Sequence, residues 1–263
     1  MRKRLRMVSA TAAVSMALTV GAVAPARPAQ AAITGWFSAV ISAVVTLASR
    51  GGSGWDPQLE AAKQQIISAV ESSKQEILNH IDAIAAADVE ACTQAAVTKV
   101  AQIDSMPGSL LGPFVNGAVD CAALSSSYFN AVQDPWAADN IGKLMGVIYS
   151  IAMLGFAKYN LSTRTLLDNL IRGYQAVQVK MRPSNCGMGN AYPGNDIPPR
   201  PGEPMYWIVW CDAYNGDLGN ATVISYYPQQ PVTDAAFDEA ALQAGRNTSY
   251  AIAVNALPTL RAA

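Results

Sequence analysis

The sequence predicts a mainly α fold: a multi-helix bundle with a long helix near the mature N-terminus and a small antiparallel β-hairpin in the C-terminal third. Three observations carry that expectation. Apolar residues recur at three-and-four spacing through most of 55–181, which is how a helix keeps one face out of water. The one clear strand run, Tyr206-Trp207-Ile208-Val209-Trp210-Cys211, is followed by the turn residues Asn215-Gly216. Four cysteines, Cys92, Cys121, Cys186 and Cys211, fall into two close pairs suited to clipping neighbouring elements together.

Residues 1–31 read as a cleaved secretory signal peptide. Arg2, Lys3, Arg4 and Arg6 precede an apolar stretch, and Ala29-Gln30-Ala31 supplies the small-x-small cleavage site. Five of the eighteen basic residues and none of the nineteen acids lie there, so the remainder carries thirteen against nineteen, a net charge of −6. An acidic chain without a basic cluster is a poor ligand for nucleic acid or anionic lipid. A secreted, extracellular protein also meets the oxidising conditions that let cysteines pair. Cys92 with Cys121 and Cys186 with Cys211 is the favoured pairing of three, because each closes a short loop.

Residues 32–54 form an apolar docking helix and a Gly-rich linker. Ile33, Phe37, Val40, Val44 and Leu47 line one face, and Thr34, Ser38, Ser42 and Thr46 the other, until Gly51-Gly52-Ser53-Gly54 ends the helix. A membrane-seeking segment is the competing reading, but sixteen residues (33–48) are short for a span.

The bundle proper, 55–181, is organised on the helix from Trp55 to about Ala87. Asp56 caps it, Pro57 takes its first position, and Leu59, Ala62, Ile66, Val70, Ile77, Ile81 and Ile84 form its stripe. His80 borders that stripe, where a single histidine reads as a boundary residue. A helix bearing Cys92, Val97 and Val100 follows to about Ile103, then a turn at Asp104–Gly108 and a connection over Ser109–Pro113. A helix from Phe114 to Gln133 brings Cys121 back toward Cys92. After a break at Asp134-Pro135-Trp136, Ile141–Ala157 is apolar nearly all round, the pattern of a central helix. Gly142 and Gly146 allow a neighbour close approach. Ser162 or Thr163 caps an amphipathic helix ending near Met181.

Residues 182–263 comprise a Pro/Gly-rich loop, an aromatic hairpin and a C-terminal helix packed on the bundle. Arg182–Pro204 is long for a structureless connection, which marks it as functional or as a wrap over the surface. Strands at Met205–Tyr214 and Thr222–Tyr227 form the hairpin, which is not stable alone and needs the bundle or a third strand. A last helix opens at Thr233 or Asp234 and runs as far as Leu257.

Familiar catalytic signatures are missing. One histidine, no His-Glu-x-x-His, no Gly-x-Ser-x-Gly and no Gly-x-x-x-x-Gly-Lys remove most hydrolase, metal and nucleotide chemistries. No catalytic residue, cofactor or metal is assigned. Asp212 with Asp217 and Asp238 with Glu239 are the carboxylate pairs that could still meet, the first in a turn where Asp and Asn serve the backbone. The positive signal is aromatic. Tyr206, Trp207, Trp210, Tyr214, Tyr226 and Tyr227 cluster in the hairpin, with Tyr192 in the loop before it. Strand alternation puts Tyr206 and Trp210 on one face and Trp207 on the other. Tyr and Trp give large contact area at small entropic cost, so these six are the candidate binding residues for a protein or glycan partner. The expected function is non-enzymatic binding or scaffolding. The alternatives are a membrane-active protein inserting its helices at 33–48 and 141–157, and an extracellular carboxylate-dependent hydrolase.

Overall fold

The computed structural model describes residues 30–50, 55–73, 75–77, 79, 87–190 and 200–263. The features expected at the leader, His80, Ile81, Ile84, Tyr192 and Ile197-Pro198-Pro199 lie outside them. The described chain is mainly helical, with a small antiparallel sheet in the C-terminal third.

Helices α1 (Gln30–Arg50) and α2 (Pro57–Ser72) open the fold and pack on one another. The Asp56 carboxylate accepts the backbone N–H of Gln58 and of Leu59, both at 2.9 Å, so the start of α2 is set by its own side chain. Leu59, Ala62, Ile66, Val70 and Ile77 are buried, as are Phe37, Val40, Val44 and Leu47 of α1. The hub is not α2, however. It is α5 (Pro135–Lys158), with twenty of its twenty-four residues buried. Both α1 and α2 lie on it, with α3 (Ala87–Val100), α4 (Gly108–Ala131), α6 (Arg164–Lys180) and α8 (Ser249–Arg261). An amphipathic helix offers one face and takes neighbours on that side only. A helix apolar all round must be enclosed.

Close packing around α5 depends on its glycines. A Cβ at Gly146 would fall 2.5 Å from the Tyr174 hydroxyl and 2.9 Å from the Phe37 ring. One at Gly142 would fall 2.7 Å from Ser249. The helix begins six residues earlier than Ile141, because Asp134 accepts from Ala137 N at 2.8 Å and Pro135 occupies the first turn. The stretch Ser109–Pro113 likewise belongs to α4. Pro113 gives up one helical N–H on the exposed side, where water can take the freed carbonyl. Thr163 starts α6 without capping it, and its hydroxyl donates instead to Leu47 O at 2.9 Å, fastening α6 to α1.

Both disulfides join the expected partners, Cys92–Cys121 between α3 and α4 and Cys186–Cys211 within the sheet. That sheet has three strands rather than two, β1 (Asn185–Asn190), β2 (Pro204–Asp212) and β3 (Leu218–Tyr226), in the order β1-β2-β3. Cys186 stands directly opposite Cys211 in the register. The inner face (Val209, Cys211, Ala221 and half-buried Trp207) is covered by α7 (Asp234–Ala244), an Ala-rich helix that lets the sheet approach closely. The expected continuous last helix is therefore two. A short 3-10 turn (Gly245–Asn247) separates α7 on the sheet from α8 on the bundle, and the Thr248 side chain caps α8.

One polar cluster clamps the far end of the bundle. Buried Lys63 pairs with Asp104 and with Glu60 (2.6 Å), Asp104 also takes Lys158 at 2.6 Å, and the Trp55 ring lies 4.8 Å from the Lys158 ammonium. Hydrogen bonds from these lysines hold the Asp104 carboxyl below its usual range, and Lys63 does the same for Glu60. Their stabilising effect is thus full above the unfolded carboxyl values and lost as pH falls through the lower folded ones. Asp104→Asn is expected to cost about 1–2 kcal/mol at neutral pH, discounted for the exposure of the carboxylate. It should also flatten the loss of stability below about pH 4, which urea titrations at neutral and acid pH would show.

Candidate functional site

The six aromatic candidates do not form one cluster. Tyr206, Trp210 and Tyr226 share the outer face of the sheet, opposite the face covered by α7. Trp207 points inward, its indole N–H donating to Ser225 Oγ at 2.9 Å. Tyr227 lies just past β3 and is exposed. Tyr214 is elsewhere, edge-on to Trp136 with ring centroids 5.1 Å apart, and its hydroxyl bonds the Asp139 carboxylate. Burial first, and then that carboxylate, pushes the Tyr214 phenol well above its ordinary range. Tyr214 thus belongs to the junction between sheet and bundle.

The register shows what surrounds Trp210 on the outer face. Trp210 stands opposite Gly187 of β1 and Asn220 of β3, Ile208 opposite Gly189 and Thr222, and Tyr206 opposite Ile224. The Trp210 indole lies across β1. A Cβ at Gly187 would fall 2.5 Å from the ring, and one at Gly189 3.3 Å from it. The two glycines therefore give the indole a flat seat, and its other side remains open with the residue 41% exposed. Ile208, Ile224, Tyr226 and Leu218 are exposed beside it, and Asp212 is the only charged residue in the three strands. The outer face of the sheet is thus an exposed, apolar, charge-poor patch, the kind of surface on which proteins and ligands dock.

Alternation along β2 could have added Ile208 to the candidates, since it lies midway between Tyr206 and Trp210. The glycines carried no signal alone; their role follows from a register that Cys186 fixes.

The carboxylate pairs are engaged separately. Asp212 accepts from Asn185 at 2.7 Å, whereas Asp217 accepts from Asn247 at 2.6 Å and Asn215 at 3.0 Å. Gly216 holds the intervening turn at φ +81°. Asp238 pairs with Arg182 at 2.7 Å and Glu239 accepts from Gln243 at 3.3 Å. Among the described residues, no three His, Cys, Asp or Glu side chains converge as metal ligands. Helix α5 is long and apolar enough to cross a membrane, but 94% of its apolar window is buried inside the protein. Comparison with protein-family models, curated proteins and solved structures finds no match to this chain.

Proposed function

We propose that the chain is an exported, disulfide-stapled binding protein that acts without catalysis, and that the outer face of its sheet engages another protein. The seat of Trp210 on Gly187 and Gly189 carries the reading, because it holds a large aromatic surface rigidly in a patch whose one charge is Asp212 at the end of β2. The two disulfides fit an oxidising, extracellular setting. Between the two expected partner classes, Ile208 and Ile224 favour protein. Sugars stack on rings, and branched aliphatic side chains amid the rings offer them little, whereas an apolar protein surface packs on both.

The test is photocrosslinking from a reactive residue placed at Ile224, against one placed at the exposed Val179 of α6, followed by affinity measurement with the captured protein. Trp210→Ala is expected to weaken binding by about 2 kcal/mol or more, roughly thirtyfold. Gly187→Val, which evicts the indole from its seat, should approach that loss, and Leu110→Ser, far from the sheet, should not. The reading fails if both crosslinking positions capture the same proteins, or if Trp210→Ala leaves the affinity unchanged.

A further inference from the structure

Helices α4 and α6 both pack on α5, and between them lies a cleft of about 360 Å³. Its floor is Tyr149, buried on α5, whose hydroxyl shares a 2.9 Å hydrogen bond with Ser126 of α4. Ala123 on one wall and Ala176 on the other are the small side chains of the slot, Gly173 lets α6 approach Met145 of α5 beneath it, and Phe129 lines it. The rim is polar and positive. Arg172 sits over the cleft, oriented by a hydrogen bond from its guanidinium to Asn169 Oδ1, and makes no ion pair among the described residues. Outside the cleft, Lys180 of α6 ties the same two helices together by donating to the Phe129 carbonyl at 2.6 Å. Among the described residues no acidic side chain lines the space.

The combination selects a ligand chemistry. A guanidinium fork with one of its five N–H groups engaged presents the remainder to an acceptor, and the best match for that fork is a carboxylate or phosphate. Of the two hydroxyls at the floor one donates to the other, and the proton of the second is left to turn toward the same group. The apolar walls suit a flat body carrying it, and the volume lies at the small end of ligand pockets. We propose that the cleft between α4 and α6 is a binding site for a small aromatic or similarly flat organic anion, bound through Arg172 and the Tyr149–Ser126 hydroxyl pair. This site is separate from the sheet face and stands or falls independently of it.

Titration calorimetry of the intact chain with benzoate, phenyl phosphate and neutral benzyl alcohol tests the inference. At least one of the two anions is expected to bind saturably with Kd below about 10 mM, and their order assigns the head group. Benzyl alcohol, of matching shape without the charge, should bind about tenfold more weakly or not at all. Arg172 is exposed, so Arg172→Gln should fold normally and weaken the preferred anion about tenfold. Tyr149→Phe should weaken it by a smaller factor, with Ser126 left to donate. The proposal is overturned if neither anion saturates, if benzyl alcohol binds as well, or if Arg172→Gln binds the anion unchanged.

Discussion

Asp139→Asn is expected to destabilise the protein by about 3–5 kcal/mol, the cost of stranding a buried charge. Asp139 is 1% exposed on the second turn of α5. Its carboxylate pairs with Lys143 at 2.7 Å, accepts the Ser249 backbone N–H at 2.6 Å, and takes the Tyr214 hydroxyl. Those donors come from three places: the next turn of α5, the first residue of α8, and the loop leaving β2. One carboxylate therefore joins the bundle to the sheet, and among the described residues it is the only acid paired with the Lys143 ammonium, itself only 8% exposed. An Asn turns an amide toward that ammonium and leaves it unpaired. Lys143→Met added to Asp139→Asn should recover most of the loss, because a buried pair is dispensable as a pair and costly when halved. Tyr214→Phe alone should cost about 1 kcal/mol. Urea unfolding of the wild type, Asp139→Asn, Lys143→Met and the double variant measures the cycle, and an Asp139→Asn loss below about 1 kcal/mol would show the pair to be solvated.

The same junction marks how far the sequence could be read. Helices bound by strong local chemistry were legible at their start: Asp56-Pro57 opens α2 and its Leu59–Val70 stripe is buried, because capping and periodicity act within a few residues. But α2 ends at Ser72 rather than running to about Ala87. Asp134-Pro135 carries the same chemistry as Asp56-Pro57, yet it reads as a break when weighed only as turn residues. The start of α5 was thus present in the sequence in a form already used once. Strand β1 is a different case. Asn185-Cys186-Gly187-Met188-Gly189-Asn190 has little intrinsic tendency to be extended, and two glycines argue against it. It becomes a strand because Cys186 is bonded to Cys211 and the Trp210 ring fills the space above the glycines, both long-range facts. Tertiary context likewise decides the aromatic cluster. Alternation separates Trp207 from Trp210 correctly, but nothing local places Tyr214 against Asp139, seventy-five residues away. The cleft at Tyr149 and Arg172 is spread over three helices and leaves no linear trace.

Alkaline pH should unfold this protein more steeply than acid. Tyr149, Tyr174 and Tyr250 are all buried, and burial is the first cause that pushes each phenol above its ordinary value. Tyr149 gives part of this back through Ser126 and Tyr174 part through the Gly146 backbone, with burial the larger effect for each. Once pH passes the unfolded tyrosine value near 10, the unfolded chain releases these protons while the folded chain retains them. The folded state then binds more protons, so the stability of folding falls as pH rises, by about 1.4 kcal/mol per pH unit for each such tyrosine. Tyr174, pushed up furthest, gives the full slope of about 1.4 kcal/mol per unit above pH 10, and Tyr149 and Tyr250 add to it in the same direction. Tyr214 and the raised ammonium of Lys63 add in the same sense, and Lys180, whose ammonium burial pushes down, works against them. Near-ultraviolet circular dichroism against pH should therefore show a cooperative loss of tertiary signal above pH 10, with tyrosinate absorbance from the buried rings rising in the same step. Tyr174→Phe should shallow that dependence by about one tyrosine's share. If the buried tyrosines instead ionise smoothly near pH 10 with the tertiary signal intact, water reaches the faces of α5 and α6 that this fold keeps dry.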